Sequence, residues 1–537
     1  MENVDIIVIL LFGVTFLGVL SKKFNFPFPI VLVLSGILIS LIPDLPIISL
    51  EPDIIFFIFL PPLLYEAAWN TSWRDFKAAI RPISFAAIGL VFFTTLTVAW
   101  AAHALINGLS WAEAFLLGAI VSPPDAVAAK SVTKGLGLHP RLTAILEGES
   151  LVNDASGLIA YRYALLALTA GNFVLWKAGL NFLLVSVSGI AIGLIIGYLI
   201  YLIHKKFFCD PVLEVTLSFL TPFASYLIAE HFEVSGVLAV VTSGLYLSFR
   251  SDETFSNESR IMAYSVWQAI IFILNALVFI LIGLQLHSIM KGISNYPWQT
   301  LVISALVISF VVIIVRFIWV IPATILPRLL SRRIREKEPF DPRNLVIFGW
   351  AGMRGVVSMA AALGLPMVIS DNENFENRDL IIYLSFCVIL ITLIVLGGTL
   401  KWAIRKLKIE PYSLVAEEYE VRNTVVSTAI NYIEDNLSLV QEDLLDNIKS
   451  KYEVKYNRLQ KTDLPANYFG KGKTLAGNIF NEFTQMQIDL LKIERLTIQQ
   501  MHRKGNASEE ILRKIERELD LEETRLRLEI YDGNYGG

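Results

Sequence analysis

Apolar residues gather into thirteen long runs within the first 410 positions, each separated from the next by a short polar or Pro/Gly-marked break. A membrane-spanning helix needs about 20 mostly apolar residues. The runs lie near 5–21, 27–43, 53–70, 83–106, 111–130, 141–170, 177–203, 211–230, 234–249, 263–286, 300–327, 343–369 and 379–402, and we number them spans 1 to 13. Past residue 410 the pattern changes. No run there is long enough to span, and apolar positions recur at helical spacing, predicting amphipathic helices over 414–448, 475–503 and 507–530. The last opens with Asn506 and Glu509 at capping-box spacing and keeps Leu512, Ile515, Leu519 and Leu526 on one face.

The loops carry the orientation signal. The gaps after odd-numbered spans hold eighteen Lys and Arg residues, and those after even-numbered spans hold three: Lys177, Lys291 and Arg378. Excess Lys and Arg mark the cytoplasmic side. The alternation therefore predicts an N-terminus outside and a tail in the cytoplasm. The opening MENVD is acidic, and Lys22 and Lys23 follow the first apolar run, so that run reads as a first span and not as a cleaved leader.

Composition agrees with a membrane domain followed by a water-exposed one. Mean hydropathy is +0.58, with 55% hydrophobic and 18% charged residues. Charged residues number 55 in the first 410 positions and 39 in the last 127. A secreted disulfide scaffold, a fibrous chain and a disordered one are excluded. The net charge of −4 points to no nucleic-acid partner, and Cys209 and Cys387 make no disulfide framework or cysteine metal site. His103, His139, His231 and His287 show no metal spacing, and no soluble-enzyme motif is present.

Ionisable residues inside a bilayer are costly, which makes each a functional candidate. Span 6 holds the densest cluster, LEGESLVNDASG at 146–157. Glu149 and Asn153 are four apart, as are Ser150 and Asp154, so all four share one side of a helix. Such hard oxygen donors suit alkali or alkaline-earth cations. Glu147 reads as a surface residue near the membrane edge. Span 5 contains VSPPDAVAAK, 121–130, where Pro123 and Pro124 remove two backbone donors and break the helix beside Asp125. Span 12 contains GWAGMRGVVSMAAALGLP, 349–366, where Gly352 and Gly355 flank Arg354 and permit unwinding. Arg354 keeps its charge, so it needs a carboxylate or exposed carbonyls, and Glu149 is the expected partner. Arg316 in span 11 has no acid near it in sequence and reads as a structural charge answering freed carbonyls or an acid of span 5. Glu66 in FLPPLLYEAAW, 59–69, reads as a gate or interface residue. Spans 5 and 12 are each fifth in a six-span half, and interrupted segments at matching places point to an inverted repeat with the site between its halves.

Together FLPPLLYE, SPPDAVA, EGESLVNDASG, FASYLIAEHFEVSGVLA and GMRGVVS resemble the monovalent cation:proton antiporter-1 family, the NhaP/NHE-type sodium–proton exchangers, over roughly 5–405. The closest likeness is to the bacterial branch with a long cytoplasmic tail. The resemblance implies an all-α membrane fold in which a core domain (spans 4–6 and 11–13) moves against a dimerisation domain (spans 1–3 and 7–10) in a homodimer. Residues 411–537 read as a cytoplasmic helical regulatory domain, either a packed dimer element or a loosely tethered segment, with a ligand or itself as its contact. The resemblance implies that Asp154 is the ion- and proton-binding carboxylate, Asn153 its helix partner as in electroneutral members, and Asp125 and Ser150 the rest of a Na+ site. It also implies a structural pair of Glu149 with Arg354. Family members commonly carry Thr-Asp-Pro at the span 5 break. Here Pro124 precedes Asp125 and Ala126 follows it, so the threonine hydroxyl is missing. The expected function is Na+/H+ exchange in the cytoplasmic membrane without a cofactor, with K+ or Li+ as alternative cations. A cation channel, a membrane-embedded aspartyl enzyme and a tail-based sensor on a degenerate transporter are the competing classes.

Overall fold

The computed structural model describes residues 2–24, 26–42, 55–133, 138–170, 175–207, 210–293, 296–330, 342–370, 373–408, 414–436, 477–505 and 507–533. Its first compact unit comprises residues 1–208, 216–254 and 266–411. Helix α1 (Glu2–Phe24) and α2 (Phe28–Ser40) are followed by α3 (Leu60–Asn70), which continues a π-helical turn at Ile55–Phe59. Helix α4 (Ile80–Leu105) also contains a π-helical turn, Phe85–Gly89. The next segment is two half-helices, α5 (Trp111–Val121) and α6 (Ala126–Thr133). Then come α7 (Pro140–Ala170), α8 (Leu175–Phe207), α9 (Pro211–His231), α10 (Gly236–Phe249), α11 (Asn257–Leu284) and α12 (Trp298–Leu330). A second broken segment gives α13 (Pro342–Trp350) and α14 (Val356–Leu363). A ribbon of Val368–Ser370 with Glu373–Asn374 precedes α15 (Arg378–Lys406).

Among the described residues, six helices are long and apolar enough to cross a membrane, namely Ile80–Leu105, Gly179–Lys206, Pro211–His231, Asn257–Gly292, Trp298–Ala323 and Arg378–Lys406. Phe28–Ser40, Trp111–Val121 and Gly236–Phe249 are shorter apolar helices. The half-helices fall outside the first group because prolines and glycines cut them, and α7 because it carries the polar cluster. Helix starts follow local chemistry. Ser110 and Glu113 form a reciprocal capping box at α5, and the Ser235 hydroxyl accepts from the Leu238 N–H at the start of α10. Many large apolar side chains of α1, α8 and α12 face outward, including Phe12, Val187 and Phe310. That is the pattern of helices whose solvent is hydrocarbon.

The second unit comprises 209–215, 255–265 and 412–537. It contains α16 (Leu414–Asn436), α17 (Gly477–Lys504) and α18 (Glu509–Gly533). Predicted positions 437–448 of the first tail helix lie outside the described residues, as does Asn506. The first carbonyl of α18 to accept a helical bond is that of Ser508. The predicted face is buried: Leu512, Ile515, Leu519 and Leu526 pack with Val421, Val425, Ile488 and Ile498. Around this core Arg495 donates to Asp520 (2.7 Å) and Glu523 (2.9 Å), and Arg260 grips Asp520 through Nε (2.9 Å) and Nη2 (2.5 Å).

Lys514 and Arg422 both donate to Glu418. The Lys514 hydrogen bonds pull its carboxyl below the ordinary value of 4.5; burial opposes this and Arg422 reinforces it. A depressed folded-state value means stability that is full above 4.5 and lost as pH falls through the folded value. Hydrogen exchange of the full chain is therefore expected to show α16 and α18 loosening as pH drops below 4.5, with Glu418→Gln removing part of that acid dependence. An unchanged pH profile in the variant would show that Glu418 does not hold these helices together.

Candidate functional site

The site is built where the two broken segments meet. Pro123 and Pro124 end α5 by denying it two N–H groups, and Gly352 to Gly355 separate α13 from α14. Each break strands carbonyls at the end of its first half and N–H groups at the start of its second. The Asp125 N–H donates to the Met353 carbonyl (2.7 Å), tying one break to the other. The Asp125 carboxylate then serves both second halves. Its Oδ1 accepts from the Ala128 N–H (3.3 Å) in α6, and its Oδ2 from the Val356 N–H (3.2 Å) at the start of α14. One negative group thereby caps two helix N-termini, where the backbone dipole favours it.

Arg354 does the opposite job. Its side chain is fully buried, and Nε donates to the Val121 carbonyl (3.0 Å), Nη2 to that of Ser122 (3.4 Å) and Nη1 to that of Gly352. Its own N–H donates to Thr392 Oγ1 (3.1 Å), in the turn just before the π-helical stretch Leu393–Gly397 of α15. A permanent cation thus sits on the stranded C-terminal carbonyls of both first halves.

This arrangement corrects the expected Glu149–Arg354 pair. The partner of Glu149 is Arg316: Nη1 donates to Oε1 (2.8 Å) and Nη2 to Oε2 (3.1 Å), with both side chains 1% exposed. Arg316 also donates from Nε to the Phe348 carbonyl (3.0 Å) and lies over the Phe348 ring. The reason is the number of freed carbonyls. The breaks supply enough acceptors to satisfy Arg354, which leaves Glu149 to the arginine of α12.

The two glycines make room for these charges. A Cβ at Gly352 would collide with Arg316 Cδ, and one at Gly355 with Asp125 Oδ2. Gly157 on α7 similarly admits Pro123, whose Cγ would be 3.0 Å from a Cβ there.

On α7, Asn153 Nδ2 donates to Glu149 Oε1 (3.1 Å), which leaves Asn153 Oδ1 buried without a hydrogen-bond partner among the described residues. Ser150 Oγ donates to the Pro124 carbonyl (3.2 Å). Asp154 is 6% exposed and makes no side-chain hydrogen bond or ion pair among the described residues. Its charge and that of Asp125 repel one another. Desolvation disfavours an ionised carboxylate unless something compensates it, and no cation among the described residues is committed to Asp154.

Of the remaining candidates, Glu66 is half-buried on α3 and accepts from Asn70 Nδ2 (2.5 Å), one turn away. Glu147 pairs with Lys130 (2.9 Å). Sequence reasoning missed Thr392, an ordinary polar residue in an apolar run, and the ion pair between Arg162 and Glu230 (2.5 Å). A small apolar cavity lies between Val356, Met359, Ala360 and Leu363 of α14 and Phe59, Val278, Leu281 and Ile282.

Comparison with known proteins gives a consistent result. The profile of a family described as sodium/hydrogen exchanger, transmembrane, matches residues 7–406. An uncharacterised Na+/H+ exchanger of Mycobacterium bovis is 30% identical over 534 residues, covering 97% of this chain and 96% of its own. A Na+/H+ antiporter, ApNhaP of Aphanothece halophytica, is 32% identical over 76% of this chain and 75% of its own. A sodium, potassium, lithium and rubidium/H+ antiporter of Bacillus pumilus is 33% identical over 68% of this chain and 56% of its own. Among solved structures, the sodium proton antiporter MjNhaP1 of Methanocaldococcus jannaschii at pH 8 superposes with a TM-score of 0.58 at 19% identity, covering 76% of this chain and 99% of that one.

Proposed function

Because the chain belongs to the sodium/hydrogen exchanger family, a family of multi-pass membrane antiporters, we propose that it exchanges one Na+ for one H+ across the cytoplasmic membrane, with Asp154 carrying each in turn. The observation that carries this reading is the charge count of the buried site. Glu149, Asp125 and Asp154 are three negative groups, and Arg316 and Arg354 are two positive ones. Asp125 is taken up by helix N-termini and Glu149 by Arg316, so the uncompensated charge is that of Asp154. One monovalent cation or one proton neutralises it.

The cation would be held by the Asp154 carboxylate, Asn153 Oδ1 and the lone pairs of Ser150 Oγ, with Asp125 adding field. A bare carboxylate is too costly to carry through a low-dielectric barrier, whereas a neutralised one crosses. Exchange follows because metal and proton exclude each other from one site. The site is carried by a core of α4 to α7 and α12 to α15, which slides against α1 to α3 and α8 to α11. The apolar cavity between α14, Phe59 and α11 supports such a boundary, since every side chain that lines it is apolar. Na+ is the preferred cargo. K+ and Li+ are the second reading, favoured by the missing threonine hydroxyl beside Asp125 and by the broad-range relative. The protein works as a homodimer, with the tail in the cytoplasm acting as a regulatory domain.

The test is pH-gradient dissipation in proteoliposomes with Na+, Li+ or K+ outside, repeated at clamped membrane potentials. The expected result is exchange driven best by Na+ at a rate independent of voltage. A rate that follows voltage would reject one-for-one exchange, and cation currents far above carrier turnover would indicate a channel.

A further inference from the structure

We propose that the Arg162–Glu230 ion pair is an outer latch, which closes the external mouth and must open once in every transport cycle. The inference rests on the division into a moving core and a static set of helices given above. Three other ion pairs of this unit, Lys130–Glu147, Arg316–Glu149 and Arg378–Asp379, lie within the core and travel with it. Arg162 and Glu230 sit on opposite sides of the division. Arg162 belongs to α7, eight residues beyond Asp154, and Glu230 to the last turn of α9. At a rise of about 1.5 Å per residue, Arg162 stands roughly 12 Å along the same rigid helix from the binding carboxylate. The Lys and Arg alternation of the loops runs α7 and α9 outward from the cytoplasm, which puts both residues at the external end.

Glu230 is held firmly. Glu230 stands on a closed helix end, where the Glu233 N–H donates to its carbonyl (2.9 Å) and the Val234 N–H to that of Ala229 (3.0 Å). The start of α10 confines its carboxylate, since a Cβ at Gly236 would lie 3.0 Å from Oε1. Arg162 Nη2 reaches Oε2 at 2.5 Å. Sliding of α7 against α9 beyond the reach of the Arg162 side chain therefore breaks the bond.

The strength suits a gate. The side chains are 45% and 28% exposed, so the pair is worth little in absolute terms. It biases the closed state by roughly two- to fivefold and no more. A stronger latch would arrest the carrier, and external salt weakens this one. An external cation meets only molecules whose outer mouth is open, so its apparent affinity scales with that fraction.

Two experiments test the latch in full-length protein in proteoliposomes. With Cys209 and Cys387 replaced by serine, Arg162→Cys/Glu230→Cys is bridged by a short, reducible thiol cross-linker. Exchange is expected to stop on cross-linking and to return on reduction. A cross-linked protein that exchanges at the unlinked rate would overturn the proposal, as would a failure of the two positions to cross-link. In the second experiment, Arg162→Gln and Glu230→Gln are each expected to lower the half-saturating external Na+ by roughly two- to fivefold, and Arg162→Glu/Glu230→Arg to restore it. Unaltered half-saturation in both single variants would reject the gating role. Failure here is distinguishable from failure of the site itself: exchange that is indifferent to the cross-link yet still requires Asp154 removes the latch alone.

Discussion

Asp154→Asn is expected to reduce cation-driven proton flux to the leak of protein-free liposomes while the protein remains folded. The amide is nearly the same size, and among the described residues Asp154 makes no side-chain hydrogen bond for the substitution to break. It also relieves the cost of a desolvated charge, so thermal stability is expected to hold or rise. What disappears is the function, since an amide takes up no proton in the working range and attracts a cation weakly. Asp125→Ala makes the informative contrast. That carboxylate caps two half-helices, so its loss is expected to cost stability as well as transport, by about 0.5–2 kcal/mol for a lost cap. Wild-type flux from Asp154→Asn would remove the carrier role of this residue. Loss of folding would show that its role is structural.

Breaking the Glu149–Arg316 pair from one side is expected to be the most damaging change to stability. Both groups are buried and joined by two hydrogen bonds, so Arg316→Ala leaves an uncompensated carboxylate in the core. Removing one partner of such a pair costs about 3–5 kcal/mol, whereas replacing both by well-packed apolar groups is often neutral. Thermal unfolding in detergent should therefore show a large loss for Arg316→Met or Glu149→Leu alone and substantial recovery in the double variant. The parallel cycle of Glu149→Leu with Arg354→Met is expected to show no such rescue, because Arg354 serves backbone carbonyls. Recovery in that second cycle instead of the first would restore the pairing suggested by sequence alone.

The features legible in sequence were those encoded locally. A proline pair cannot continue a helix, and glycines around a buried arginine mark a place where backbone comes close, so both breaks were visible as 123–124 and 352–355. Helical spacing put Glu149, Ser150, Asn153 and Asp154 on one side of α7, and the tail's buried face was written in Leu512, Ile515, Leu519 and Leu526. Which cation meets which anion was not legible. Arg316 and Arg354 look alike in a linear chain, and what separates them is the supply of stranded carbonyls once two breaks cross. Thr392 and Glu230 were hidden for the same reason, since each acquires its role only from a residue on another helix.

The prolines have one more consequence. Several donors at the crossing are already engaged: Asp125 with Met353, Ala128 and Val356 with Asp125, and Arg354 with three carbonyls. Positions 123 and 124 contribute none at all. Two prolines therefore leave an anion fewer donors at this bend than any other pair of residues would.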